Sequence, residues 1–191
     1  SMAVYFDTEP WLVALAVPVY LAVNAVLQLF IGPISDRFGR RPVLLWAVAL
    51  FLVATLGTLW APTIEIFLAF RMLQAVIVAG LVLSRAVVRD MVPADQAASM
   101  IGYVTMGMAF VPMVGPVIGG ALDEAFGWRA SFWLLFASGV ATFVLVWGDL
   151  GETAKNTSTK FRDQVREYPE LLTSPRFWGY CASAAFASGA F

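Results

Sequence analysis

Of 191 residues, 60% are hydrophobic and 13% are charged, against roughly 25% charged in soluble domains, and the mean hydropathy is +0.79. This is a membrane composition, and a formal net charge of -1 with an isoelectric point near 5.3 leaves no surplus of Lys and Arg for nucleic acid. One cysteine, Cys181, and no histidine exclude a disulfide and a thiolate zinc site and remove the usual neutral-pH base, so metalloenzymes and histidine-dependent hydrolases fall away.

Ser1-Met2 resembles a tag-cleavage remnant, and no signal-peptide pattern opens the chain. The first apolar stretch long enough to cross about 30 Å of hydrocarbon as a helix is Trp11–Ile31. Tyr20, Asn24 and Gln28 recur every four residues along it, a polar-capable stripe suited to lining a cavity or to bonding a neighbouring helix. Residues 32–41, GPISDRFGRR, then concentrate one acid and three arginines between two apolar stretches. Gly32 permits close approach where the helix is expected to end, Pro33 stiffens the exit, and Gly39 suits a left-handed turn. Asp36 is placed to accept backbone N–H bonds or to pair with an arginine, while Arg37, Arg40 and Arg41 serve as headgroup anchors or as part of a lock between helix ends.

The second stretch is Pro42–Trp60, and the third runs from Ile64 to Ser84 with a helical extension to about Met91. Arg71 lies six residues beyond Glu65, about 9 Å deeper at 1.5 Å per residue, where an arginine normally faces a protein interior or water and pairs with an acid or a carbonyl. Gln74, three residues on, shares its face, and the stripe is expected to face a central cavity. Arg85 and Arg89, with Asp90, continue this helix toward its far end.

The fourth stretch, Ala97–Ala121, contains VPMVGPVIGG. Gly115 and Gly119 form a small-xxx-small pair, and Pro112 and Pro116 each remove an intrahelical bond on one side, which predicts an articulated, tightly packing helix. Met100, Met106, Met108 and Met113 supply adaptable apolar surface. The fifth stretch is Trp128–Trp147, with Trp128, Trp133 and Trp147 reading as interface anchors. Residues 149–176 form a polar linker with an amphipathic helix over about 159–168, suited to a membrane surface. A sixth stretch begins near Phe177 and stops inside an apolar run.

Nothing shows the alternation of a membrane barrel, so the expected fold is all-α and polytopic. The short connections at 61–63 and 122–127 make neighbouring helices antiparallel. Ten of the twelve basic residues fall in 32–41, 85–89 and 148–176, which places those regions on the cytoplasmic side, while Asp7, Glu9, Glu65, Asp123, Glu124 and Arg129 lie outside. Residues 1–10 then lie outside as well, and the chain is expected to need a preceding span to reach that side.

The spacing Gly32-x-x-x-Asp36-Arg37-x-Gly39-Arg40-Arg41 resembles the signature loop between the second and third helices of the major facilitator superfamily. RMLQAVIVAG resembles the fourth-helix motif of drug:proton antiporters through Arg71 and Gln74, with Ala75 where glycine is usual. GMAFVPMVGPVIGG resembles the fifth-helix antiporter motif through Gly115-Pro116 and Gly119-Gly120, with Val111 where a further glycine is common. RDMVPADQAA and GWRASFWLLF look most like the bicyclomycin/chloramphenicol-resistance branch of twelve-helix exporters.

The resemblance covers nearly the whole chain and implies an N-terminal bundle of helices two to six (residues 1–148), an inter-bundle linker (149–176) and the start of helix seven (177–191), with helix one and most of the C-terminal half absent. It further implies proton-coupled efflux of small amphipathic compounds by a bacterial inner-membrane protein, with antibiotic resistance as the phenotype and the proton, not a cofactor, as coupling ion. Arg71 would couple proton to substrate movement, its acidic partner lying on helix one. Asp36 with Arg85 or Arg89 would form a cytoplasmic latch, and the segment around Gly115 would pack against the opposite half. Membrane lipid, an amphipathic substrate and the absent helices are the expected partners. The alternatives are a same-fold carrier of a polar metabolite or sugar, a membrane enzyme or receptor-like binding protein, and a fragment that transports nothing.

Overall fold

A computed structural model describes residues 5–153 and 173–189. Among these the regular structure is helical: α1 (Pro10–Ala14), α2 (Ala16–Phe38), α3 (Arg40–Leu59), α4 (Ile64–Gln74), a 3-10 turn (Ala75–Ile77), α5 (Val78–Met91), α6 (Ala94–Phe126), α7 (Arg129–Gly148) and α8 (Pro175–Gly189). With no water in hydrocarbon, an apolar segment must satisfy its own backbone, and a helix does so. Five helical stretches are long and apolar enough to cross a membrane: 10–38, 40–59, 64–91, 95–126 and 129–148. The expected amphipathic helix over 159–168 lies outside the described residues.

The first span is longer than expected. Instead of ending at Ile31 it passes through Gly32 and Pro33 to Phe38, so residues 32–38 are helix and not loop. Pro33 has no N–H to donate and its ring crowds the carbonyl four residues back, yet the helix continues, and the Ser35 hydroxyl bonds the Gly32 carbonyl at 2.8 Å. Gly39 alone reverses the chain: at φ 94° it donates its N–H to the Ser35 carbonyl (2.9 Å) and is also the residue from which α3 starts. A one-residue link forces α2 and α3 to run antiparallel.

The hub is α3, against which α4, α5 and α7 pack. It buries Ala47, Val48, Phe51, Ala54, Thr55, Thr58 and Leu59, which at 100° per residue fall within one broad stripe of about 140°. Two glycines bring partners close. A Cβ at Gly57 would overlap the Phe70 ring of α4, and one at Gly139 of α7 would lie 2.8 Å from a Leu52 methyl.

Two apolar cores result, separated by depth. At the end carrying the acidic residues, Ala16, Leu59, Ile64, Phe67 and Phe132 pack with the half-buried Phe6 and Trp128. Toward the basic end, Ile31, Ala47, Val78, Ala79 and Leu83 form the second core. The buried polar residues Thr55 and Gln74 fall between the two cores along α3 and α4. In contrast, α6 buries only Ala97 among its described side chains and leaves Tyr103, Met106, Phe110 and Val117 exposed.

Candidate functional site

The layer between the cores is built around Arg71. Thr63 caps α4, its hydroxyl accepting from the Ile66 N–H at 3.5 Å, and the helix carries Arg71 seven residues, about 10 Å, inward from Ile64. Its guanidinium donates through Nη1 to Gln74 Oε1 at 2.9 Å. Its Cζ lies 5.3 Å from the Tyr20 ring centroid of α2 and 5.6 Å from that of Phe132 of α7, both within cation–π range. Nε is buried without a bond partner among the described residues.

The chain of bonds beyond Arg71 has one direction. A guanidinium can only donate, so Gln74 must present its oxygen to Arg71 and turn its amide nitrogen the other way. That nitrogen donates to Thr55 Oγ1 of α3 at 2.8 Å, and the Thr55 hydroxyl passes its own hydrogen to the Phe51 carbonyl at 2.7 Å. Gln74 is 1% exposed and Thr55 is fully buried, so the relay fixes the arginine from behind in a medium where loose polar groups are costly. The 3-10 turn Ala75–Ile77 begins at the residue after Gln74, a local change of winding that separates the outer and inner halves of this span.

Arg71 and Gln74 thus share a face, as their spacing predicts. Tyr20 joins them, but Asn24 and Gln28 do not: Gln28 Nε2 donates to Asn24 Oδ1 at 2.7 Å, one turn and two turns farther along α2. Among the described residues no carboxylate pairs with Arg71. Because an arginine stays protonated, the site offers a fixed cation with an open Nε: it can hold an anion or a hydrogen-bond acceptor but cannot itself carry the proton.

At the basic end a second cluster centres on Arg40. Its Nη1 pairs with Asp36 Oδ1 and donates to Ser35 Oγ, both at 2.5 Å, and its Nε meets Asp90 Oδ2 at 3.3 Å. Its backbone N–H donates to Glu152 Oε1 at 2.9 Å, so a residue beyond α7 caps the start of α3. A Cβ at Gly39 would have to displace the Glu152 carboxylate. The Arg40 side chain is only 14% exposed.

These contacts correct two expectations. Arg40 does not anchor at headgroups: the Gly39 turn sends its side chain back over the last turn of α2. The latch is Arg40 on Asp90, not Asp36 on Arg85 or Arg89, which are exposed and make no ion pair among the described residues. At 100° per residue the faces of α5 holding those arginines are turned roughly 100° and 140° from Asp90, and Asp90 takes the inward one. Arg41 reaches sideways, donating from Nη2 to the Trp147 carbonyl of α7 at 2.8 Å, and Arg37 is exposed with its Cζ 5.3 Å from the Phe38 ring.

In α6, Gly115 and Gly119 line a groove of about 470 Å³ against α7, together with Phe110, Ile118, Leu134 and Ser138. The helix continues through Pro112 and Pro116, and nothing lies within 4 Å of a Cβ built at Gly115, Gly119 or Gly120. The tight contact that their spacing predicts is therefore not made among the described residues.

Sequence reasoning missed Thr55, Ser35, Phe132 and Glu152 as partners, and the close approaches at Gly57 and Gly139. Partner identity across helices depends on which faces meet, for which one helix's periodicity gives no signal. Trp128, at the start of α7, also packs edge-on against Phe67 and Phe132 (6.2 and 5.7 Å) at the edge of the outer core. A partial signal existed there: Trp128 and Phe132 are i, i+4 on one face.

The profile of the Major Facilitator Superfamily matches residues 1–191. The chain is 34% identical over 184 residues to a chloramphenicol resistance protein of Pseudomonas aeruginosa, covering 94% of this chain and 43% of that protein. It is 35% identical over 175 residues to the multidrug transporter MdfA of Yersinia pestis bv. Antiqua (strain Angola), covering 88% and 42%. The xylose transporter XylE from E. coli, solved in an inward open conformation, superposes with a TM-score of 0.62 at 19% identity over 87% of this chain and 46% of that one, a likeness of fold. The chain spans less than half the length of these relatives. Its helices, its two motif clusters and the match along its whole length place it in a family of membrane transporters and not of enzymes: the chain belongs to the Major Facilitator Superfamily.

Proposed function

We propose that this chain forms most of the N-terminal bundle of a drug:proton antiporter that exports small amphipathic compounds across a bacterial inner membrane by alternating access. A first helix and a C-terminal bundle would complete the pore. The observation that carries this reading is Arg71: a cation held between the two apolar cores by Gln74 and Thr55, flanked by two aromatic faces, with its Nε unsatisfied and no acid beside it among the described residues. A side chain of that cost in hydrocarbon needs a use, and a partner carboxylate on an added helix, protonated and deprotonated in turn, would supply one. The names of the relatives, chloramphenicol resistance protein and multidrug transporter, support the substrate class.

The cluster on Arg40 would hold the basic ends of α2, α3 and α5 together in one conformation and release them in the other. Asp36 and Asp90 share one arginine, so loss of either contact weakens the hold without abolishing it. The test is flux in proteoliposomes of the full-length protein under an imposed pH gradient, with a panel of lipophilic cations and chloramphenicol. Gradient-dependent movement of at least one compound, reduced in Asp36→Asn, is expected. No flux from the panel, or flux indifferent to the gradient, would refute the antiport reading.

A further inference from the structure

The antiport reading gives no role to the exposed side of α3, yet the most exposed tryptophan of the bundle stands there. Trp46 is 77% exposed and forms a ridge between two apolar grooves. One, about 340 Å³, runs between α3 and α7 and is lined by Leu45, Ala49, Phe143 and Trp147. The other, about 490 Å³, lies between α2 and α3 and is lined by Ile34, Phe38, Val43 and Leu50. Pro42 and Trp46 line both, and Arg41 closes the first at the basic end.

Among the described residues, Arg41 is the sole charged side chain lining either groove. One guanidinium nitrogen is spent on the Trp147 carbonyl at 2.8 Å, which fixes the head over the groove mouth, while Nε is buried with no partner among the described residues. Its depth suits a headgroup: it is the second residue of α3, beside the exposed Arg37 and opposite the end of α7, where the aromatic Trp147 stacks on Phe143 at 6.0 Å. Each groove follows α3 for eight residues or so, about 12 Å of helix, from the Arg41–Pro42 step to Ala49 or Leu50.

We propose that this surface binds one glycerophospholipid, its phosphodiester on Arg41 and its two acyl chains straddling Trp46, one in each groove. The chemistry requires a single negative charge above two adjacent apolar tracks, and a two-chain phospholipid presents that arrangement. A charge-assisted bond from the Arg41 guanidinium to a phosphate oxygen would hold the headgroup over the groove mouth. A protein helix or a second copy of the chain would cover the apolar ridge but would place no anion at Arg41 unless an acid happened to face it. The site is independent of the Arg71 relay, which lies on the α4 side of α3.

The test is native mass spectrometry of the full-length protein in detergent, titrated with dioleoyl phosphatidylglycerol and with its one-chain lyso form. The wild type is expected to retain one two-chain lipid and to hold it more tightly than the lyso form. Arg41→Gln is expected to weaken retention about tenfold, the size of one charge-assisted bond, and Arg37→Gln is expected not to. Ala49→Phe, which fills one groove, is expected to bring two-chain binding down to the lyso level. Equal retention of one- and two-chain lipids by the wild type would overturn the proposal without recourse to any variant, as would undiminished binding to a folded Arg41→Gln protein. Dimers that form without lipid and protect Trp46 from aqueous quenchers would overturn it in favour of a second copy. A protein that binds lipid here but fails to transport drugs would leave this site standing and remove only the antiport reading.

Discussion

Replacing Gln74 with Leu probes the relay behind Arg71 with little change of volume. Two bonds are lost: the one accepted from Arg71 at 2.9 Å and the one donated to Thr55 at 2.8 Å. A bond to a charged group contributes about 1.5–3 kcal/mol, and a neutral bond between helices within a membrane about 0.6 kcal/mol. The leucine recovers roughly 1 kcal/mol because no amide has to be desolvated. The expected net destabilisation is therefore about 2 kcal/mol, read from reversible unfolding of the full-length protein in mixed micelles. The single value is less telling than its division. In a double-mutant cycle with Arg71→Met the coupling should be about 1.5 kcal/mol, and in a cycle with Thr55→Val about 0.6 kcal/mol, because Thr55 keeps its bond to the Phe51 carbonyl. The order matters as much as the sizes: Arg71 must couple more strongly than Thr55. Coupling of Arg71 to Gln74 below about 0.3 kcal/mol, the ordinary scatter of independent sites, would mean that the arginine is not held by this relay.

The remaining predictions concern the basic end of the bundle and its glycines. Gly39→Ala forces a side chain into φ 94° and onto the Glu152 carboxylate, and should cost about 1–3 kcal/mol in the same unfolding assay. Asp90→Asn removes one of two carboxylates on a half-buried arginine and should cost about 1 kcal/mol, whereas Arg85→Gln and Arg89→Gln, at exposed positions, should change stability by less than about 0.5 kcal/mol. Gly139→Ala and Gly115→Ala should have opposite signs. At Gly139 the new methyl meets Leu52 at 2.8 Å and Phe51 at 3.1 Å, for a loss of about 1 kcal/mol, while at Gly115 it meets nothing within 4 Å and should gain up to about 1 kcal/mol of helix stability. If Gly115→Ala instead abolishes transport with stability intact, its glycine serves a contact made by helices beyond this bundle.

The spans were legible because a run of about twenty apolar residues has one stable form in lipid, and that form does not depend on neighbours. Arg71 with Gln74 was legible for the same local reason, an i, i+3 pair on one face. The end of α2 was not. Gly32-Pro33 reads as a stop signal, yet the helix passes through it, because the close packing of a one-residue turn at Gly39 and the Asp36–Arg40 pair one turn apart favour continuing. Arg40 looked like an anchor because its inward partner, Asp90, is fifty residues away on a helix whose rotation no single pattern reveals. Thr55 was invisible for a similar reason: a threonine in an apolar run is ordinary until another helix brings an amide to it. Gly57 and Gly139 carry no flanking signal, and their meaning resides in Phe70 and Leu52 on the facing helices.

The central claim is that the Arg71 charge, held between the two apolar cores, is needed to exchange protons for substrate. The most direct measurement is simultaneous recording of drug movement and proton counterflow in proteoliposomes containing the full-length protein or its Arg71→Ala variant, at matched protein content and verified folding. The account predicts that the variant loses both fluxes together while still binding drug. Wild-type drug and proton movement without the arginine would contradict it.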